Sequence, residues 1–194
     1  MQLTWRDTVM NETGFEIYEG SNYWATVPSP NITAFTISGL EPNSYHCFKV
    51  RAINSAGSSP FSDWACVTTP PRWYASFWNN TTLTGLAVHT RYEPAVFFDW
   101  TSGAPHPDVY ADYFTSRWTR SSEFHGGTYR FEVYHDDGVR LWIDDQLYID
   151  KWDQAAETSS IDVSLTAGPH TVKVEHLELN GGASLKLSWQ ALAD

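Results

Sequence analysis

The sequence predicts an all-β chain built as two β-sandwiches, and three observations carry this. Short apolar or alternating runs are broken every few residues by Gly, Pro, Asn and Asp, the punctuation of sandwiches and barrels. No stretch repeats with helical periodicity. Aromatic residues make up 15% of the 194 residues, with ten each of Trp, Tyr and Phe, and they favour strands. Only 18% of residues are charged, too few for a largely disordered chain.

In the first part, strand-like runs fall at Gln2–Arg6, Phe15–Glu19, Phe35–Ser38, His46–Ile53 and Trp64–Thr68. Turn residues separate them, among them Gly14, Pro28, Pro30, Pro42, Asn43, Gly57 and Pro60. At Thr68-Thr69-Pro70-Pro71 the chain resists helix and reads as a short stiff linker. The domains are therefore expected at 1–70 and 71–194. Beyond the linker, Tyr129–Tyr134 alternates and is followed by a turn at Asp136-Asp137-Gly138. Val139–Asp144, a tight turn at Asp145-Gln146 and Leu147–Asp150 come next. Ser160–Leu165, His170–Leu177 and Ser184–Gln190 complete the series, separated by Ala167-Gly168-Pro169 and by Gly181-Gly182. Hairpins in series predict an antiparallel sandwich or barrel.

Residues 2–70 resemble a fibronectin type III domain. The resemblance lies in Leu3-Thr4-Trp5, Asn11–Ile17, Gly39-Leu40-Glu41-Pro42-Asn43, Phe48–Asn54 and Gly57–Thr69. It implies that Trp5 and Leu40 are core residues and that Phe48, Val50 and Ala52 point inward. The family's first strand is missing, through truncation or because a neighbouring chain donates it. Where the family has a corner tyrosine, this chain has His46, whose ring nitrogen can donate to a backbone carbonyl instead. Cys47 and Cys66 fall on adjacent antiparallel strands and both face outward. If the register opposes them, a disulfide forms, and a disulfide implies an oxidising compartment.

Residues 72–190 resemble a PA-fourteen domain. The resemblance runs through Trp73–Asn79, Phe98-Asp99-Trp100, Asp112–Trp118, Asp136–Asp144, Val174-Glu175-His176, Gly181-Gly182-Ala183 and Leu187-Ser188-Trp189. Lectin members of that family hold calcium with an Asp-Asp pair joined by a cis peptide, plus an Asn and carbonyls from a second loop. The bound sugar completes the shell with two hydroxyls. The resemblance assigns the pair to Asp136 and Asp137 and the second-loop side chain to Asn180. Adjacent carboxylates suit calcium, a hard cation that takes six to eight oxygens. The same Asp-Asp-Gly string is also an ordinary hairpin signal. Trp152 and Asp153, just beyond the next hairpin, are candidate ligand contacts, with Trp152 either stacking on a sugar or packing in the core.

The net charge of −11 argues against nucleic acid, whose phosphates require basic patches. No apolar run reaches the length of a membrane-spanning helix, so no membrane insertion is expected. The opening residues lack the basic start and apolar stretch of an export signal, which is expected to lie outside this piece. No constellation for catalysis is apparent. Glu175 and His176 point to opposite faces of a strand, so Glu175, His176 and Glu178 make a poor metal triad. His135 reads as a strand-end residue, with modulation of the neighbouring aspartate pair as the alternative, and no serine sits in a nucleophile elbow. Asn11, Asn31, Asn79 and Asn80 begin glycosylation sequons. The expectation is a non-enzymatic module pair, secreted or on a cell surface. The second domain would bind calcium and a surface glycan or act in adhesion, with the first as a spacer. The alternative is a structural segment that contacts other domains or copies of its parent protein.

Overall fold

The structure is a computed structural model that describes residues 1–8 and 11–193. Asp194, the last residue of the second expected domain, lies outside them. The described chain is all-β, and it divides into two compact units between Pro70 and Pro71.

In the first unit, β1 (Gln2–Thr4) pairs antiparallel with β4 (Ala34–Thr36), while β2 (Gly14–Glu19) and β3 (Asn22–Val27) form a hairpin. β5 (Tyr45–Asn54) joins that hairpin to β6 (Gly57–Ser58) and β7 (Ala65–Thr68). The sequence reading missed β3. Its signal is Gly20-Ser21, a two-residue hairpin loop with positive φ at the glycine. Leu3, Phe15, Ile17, Val27, Ile37, Phe48 and Val50 form the core, and Trp5 and Leu40 pack against it. Cys47 lies opposite Cys66 in the β5–β7 register, and the two are disulfide-bonded.

His46 sits partly buried at the end of this unit. Its Nδ1 lies 2.6 Å from Glu19 Oε1 and its Nε2 2.6 Å from Ser44 Oγ, with the Glu41 carbonyl at 3.4 Å. The expected partner was a backbone carbonyl, but the shortest contacts are to side chains. The Glu19 carboxylate raises the His46 pKa above 6.5, against the opposing effect of burial. The folded chain therefore holds this proton more tightly than the unfolded chain does. The stability gained is complete below the ordinary histidine value and is lost as pH rises through the raised one. The first unit's melting temperature is expected to fall across that interval, and His46→Gln should flatten the fall in a pH series of thermal melts.

The second unit is one eight-stranded antiparallel sheet folded over on itself. Its strands are β8 (Trp73–Trp78), β9 (His89–Glu93), β10 (Phe97–Thr101), β11 (Phe114–Asp136), β12 (Gly138–Ile143), β13 (Gln146–Lys151), β14 (Glu157–Glu178) and β15 (Ala183–Ala191). β11 has 23 residues and β14 has 22. At about 3.3 Å per residue a straight β11 would run about 75 Å. That is far too long for a unit with a radius of gyration near 14 Å, on the order expected for this length. Both strands therefore bend, and glycines with positive φ mark the place: Gly126 and Gly127 on β11, and Gly168 on β14. Phe124 pairs with Gly168, so the two bends lie side by side.

The first half of β11 pairs with β8 and with the second half of β14, which in turn carries β12 and β13. The second half of β11 pairs with β15, which carries β10. Three sequence expectations are corrected here. Ala167-Gly168-Pro169 is a bend within β14, and the two strands expected there are one. β14 has a single neighbour on that stretch, so a proline without an N–H is tolerated. The β12–β13 turn is Asp144-Asp145, both with positive φ, one residue earlier than read. Asp136–Gly138 is no hairpin. β11 does not pair with β12, and the chain crosses there from one half of the sheet to the other. Trp118, Phe77, Phe114, Phe131, Leu141 and Leu185 are fully buried between the halves.

Candidate functional site

Two crossovers meet at one end of the second unit. One is Asp136-Asp137-Gly138. The other is Leu179–Gly182, where the chain leaves β14 for β15. Asp136 pairs with Ser184, just past the second crossover. Glycine permits the close approach: a Cβ on Gly182 would lie 3.4 Å from Asp136 Oδ2 and 3.9 Å from the Thr101 carbonyl oxygen. Gly138 has the stricter requirement, since a Cβ there would lie 2.3 Å from the Trp152 carbonyl oxygen. The glycine of the Asp-Asp-Gly string thus answers to packing rather than to a hairpin turn.

The peptide bond between Asp136 and Asp137 is cis. Two buried histidines hold its carbonyls. His176 Nε2 donates to the Asp136 carbonyl at 2.7 Å, and His135 Nδ1 donates to the Asp137 carbonyl at 2.5 Å. Burial pushes His176 down to about 4, so its ring is neutral at physiological pH. The carboxylates turn to the loops instead. Asp137 Oδ2 accepts from the Leu179 N–H at 2.8 Å. Asp112, in the loop after β10, accepts from the Gly181 N–H at 3.2 Å, and the Tyr113 N–H donates to the Leu179 carbonyl at 3.3 Å. Burial first and Asp137 second raise the Asp136 carboxyl above the ordinary carboxylate range.

Glu178 ends β14, one residue before this loop. It is fully buried, and neither carboxylate oxygen has a hydrogen-bond partner among the described residues. Burial, then Asp137, Asp136 and Asp112, push its carboxyl up to about 8.

The structure thus brings Asp136, Asp137 and the loop of Asn180 together. Asn180 itself is exposed between the two backbone N–H groups that bind Asp137 and Asp112. Trp152 and Asp153 are not joined to the pair's carboxylates. The Trp152 ring lies under the Arg140 guanidinium at 4.4 Å, and Asp153 is exposed in the turn after β13. The sequence reading took His135 as a strand-end residue able to modulate the aspartate site, set Glu175, His176 and Glu178 aside as a poor metal triad, and did not single out Asp112. Glu175 does face away, paired to Arg117 at 2.6 Å. The available signal was the shared parity of residues 176 and 178, which puts both on one strand face.

A second cluster, His89, His106 and Asp108, has ligand atoms within 4.8 Å of one another. Its imidazoles stack 3.6 Å apart at 11°, so their in-plane lone pairs run parallel instead of converging on an ion. The positive charge of Arg91 also acts on His89.

Residues 72–193 match the PA14 domain. This chain belongs to the PA14 domain family. The chain is similar to anti-sigma proteins and, in fold, to a sugar-binding domain. The anti-sigma-I factor RsgI3 of Acetivibrio thermocellus is 39% identical over 104 residues, covering 52% of this chain and 16% of that protein. A solved anti-sigma factor domain-containing protein is 35% identical with a TM-score of 0.58, over 62% of this chain and 43% of its own. The PA14 sugar-binding domain from an RTX adhesin is 16% identical with a TM-score of 0.50, over 62% of this chain and 89% of its own, and shares the fold. This chain therefore spans less than half the length of these two anti-sigma proteins. Their names nonetheless overturn the expectation of an adhesion module with a spacer, because the likeness runs to proteins named as anti-sigma factors.

Proposed function

We propose that this chain is the ligand-sensing part of a regulator related to anti-sigma factors. In this reading the PA14 unit binds a calcium ion at Asp136 and Asp137 and, through that ion, a vicinal diol of a carbohydrate. The observation that carries it is the disposition of the aspartate pair: both carbonyls are taken by buried histidines, and both carboxylates are left to the loops. Adjacent carboxylates supply charge and hard oxygen ligands, and Asn180 and nearby carbonyls are at hand for the rest of the shell. The sugar-binding name of the RTX adhesin domain makes carbohydrate the ligand class to test first. The likeness to two anti-sigma proteins supports the regulatory setting. In the first unit we read a fibronectin type III-like domain without its first strand. The Cys47–Cys66 disulfide supports a place outside the reducing cytoplasm. The reading assigns no catalysis to either unit.

Calorimetric titration tests this. The full chain is expected to bind calcium, and Asp137→Asn to abolish the heat while keeping the fold by circular dichroism. Sugars should then give heat only with calcium present. A wild-type chain silent to calcium would sink the reading.

A further inference from the structure

A sheet face runs directly away from the aspartate pair and carries exposed aromatic rings. β10, β15 and β11 lie side by side there, and their registers set the side chains in rows. Asp99, Ser184 and Asp136 form the row at the pair. The next row, two residues along each strand and about 7 Å away, is Phe97, Lys186 and Tyr134. Beyond it Ser188 stands opposite Glu132, and then Gln190 opposite Arg130. Strand parity fixes which way these side chains point. On β11, Phe131, Val133 and His135 are buried, while Arg130, Glu132 and Tyr134 are exposed. The rows therefore lie on the outer face, and from Asp136 to Arg130 they extend about 20 Å.

The chemistry of this strip suits an amphipathic ligand. Phe97 is 73% exposed and Tyr134 37%. Two exposed rings in one row, rimmed by polar residues, are the pattern of a ligand-binding face. Lys186 holds the rings in place. Its ammonium lies 5.2 Å from the Tyr134 ring centre, 5.4 Å from that of Phe97 and 3.8 Å from Asp99 Oδ2. A cation between two rings attracts both, so the row is ordered before any ligand arrives. Further along, Arg130, Glu132, Ser188, Trp189 and Gln190 line a cavity of about 210 Å³. The Arg130 guanidinium is fixed by both oxygens of Asp162, at 2.7 and 2.8 Å. A sugar ring has a C–H face that stacks on an aromatic ring and hydroxyls at its rim that require hydrogen-bond partners. The strip offers these in sequence: carboxylates, then rings, then a polar cavity. A folded protein is a poorer occupant. Three strands span about 10 Å, so the strip covers on the order of 200 Å², against about 800 Å² per partner in a stable protein interface.

We infer that this strip is an extension subsite for the carbohydrate held at the aspartate pair. Sugars next to the calcium-bound one stack on Tyr134 and Phe97, and those beyond them reach the cavity at Arg130. This rests on the calcium and carbohydrate reading above and narrows it: the ligand is a linear polysaccharide bound along its length, not a single terminal sugar.

The test is calorimetry of the full chain with and without calcium. The probes are xylose, glucose, mannose and galacturonate, each as the free sugar and as its linear hexamer. In calcium, at least one hexamer is expected to bind about tenfold or more tighter than its free sugar, on the order of one aromatic contact per ring. The double variant Phe97→Ala with Tyr134→Ala should remove that advantage while leaving the titrations with calcium and with the free sugar unchanged. Tyr74→Ala takes an exposed ring from β8, in the other half of the sheet, and should change nothing. If the hexamers bind no tighter than their free sugars, or if the double variant binds them as wild type does, the extension subsite is wrong and the calcium reading stands. If calcium gives no heat, yet a hexamer binds wild type and not the double variant, the calcium reading falls and the strip remains as a binding face. If no probe binds under either condition, the extension subsite falls, and the calcium titration alone decides the metal. Should the double variant not fold by circular dichroism, Phe97→Gln carries the same test, and wild-type affinity for the hexamer in that variant would overturn the inference.

Discussion

Replacing Trp118 with alanine is expected to destabilise the PA14 unit by about 3–5 kcal/mol, the usual cost of removing a large buried aromatic. Against a total of about 5–15 kcal/mol for a domain, this would leave little or no folded protein at ambient temperature. Trp118 is fully buried near the centre of the fold. Phe77 meets its ring edge-on at 5.5 Å, and Phe98 stacks on it at 4.7 Å. Its indole N–H donates to Ser116 Oγ at 3.0 Å, so truncation also leaves a buried hydroxyl without its donor. Trp118 lies on the first half of β11, between β8 and β14, where no single loop can collapse into the void. Urea unfolding followed by the remaining tryptophans would measure the loss. Replacement by phenylalanine should cost less than alanine, because it restores part of the volume.

The second large effect belongs to the first unit. Cys47→Ser with Cys66→Ser is expected to cost it about 3 kcal/mol, because the bridge closes a loop with a sequence separation of 19 and limits the freedom of the unfolded chain. The core that must compensate is small, with seven buried hydrophobic side chains among the described residues. The loss should also appear on adding reductant to the wild type, and reductant should leave the melting of the double serine variant unchanged. A melting temperature of the first unit indifferent to reductant would contradict this account.

Much of the fold was legible in the sequence because strands and turns leave local marks. The alternation of Tyr129–Tyr134 and the linker at Pro70-Pro71 were such marks. What was not legible was which strand pairs with which. Asp136–Gly138 reads as a hairpin from its own residues, and only the pairing of β12 with β14, far along the chain, shows that it is a crossover. Gly168-Pro169 likewise carries a turn's composition, yet the ladder to β11 continues on both sides of it. The site divides in the same way. Asp136, Asp137 and Asn180 stood out through the resemblance to the PA14 family, which assigns an acidic pair and a second-loop Asn to those positions. Glu178 and His176 were set aside because the parity test was applied to residues 175 and 176, which do diverge, and not to 176 and 178, which agree. Asp112 had no local signal. Its role depends on a hydrogen bond to Gly181, 69 residues away.

The folding of one sheet into two halves has a mechanical consequence. β11 and β14 each belong to both layers, and the crossovers that carry Asp136, Asp137 and Asn180 sit at or beside their ends. A ligand gripped there is anchored to strands that run through the whole unit and not to a loop hung from its edge. Tension applied through such a ligand would load the long β11–β14 ladder along its length, in shear, where many backbone hydrogen bonds share the force and none can be peeled away first.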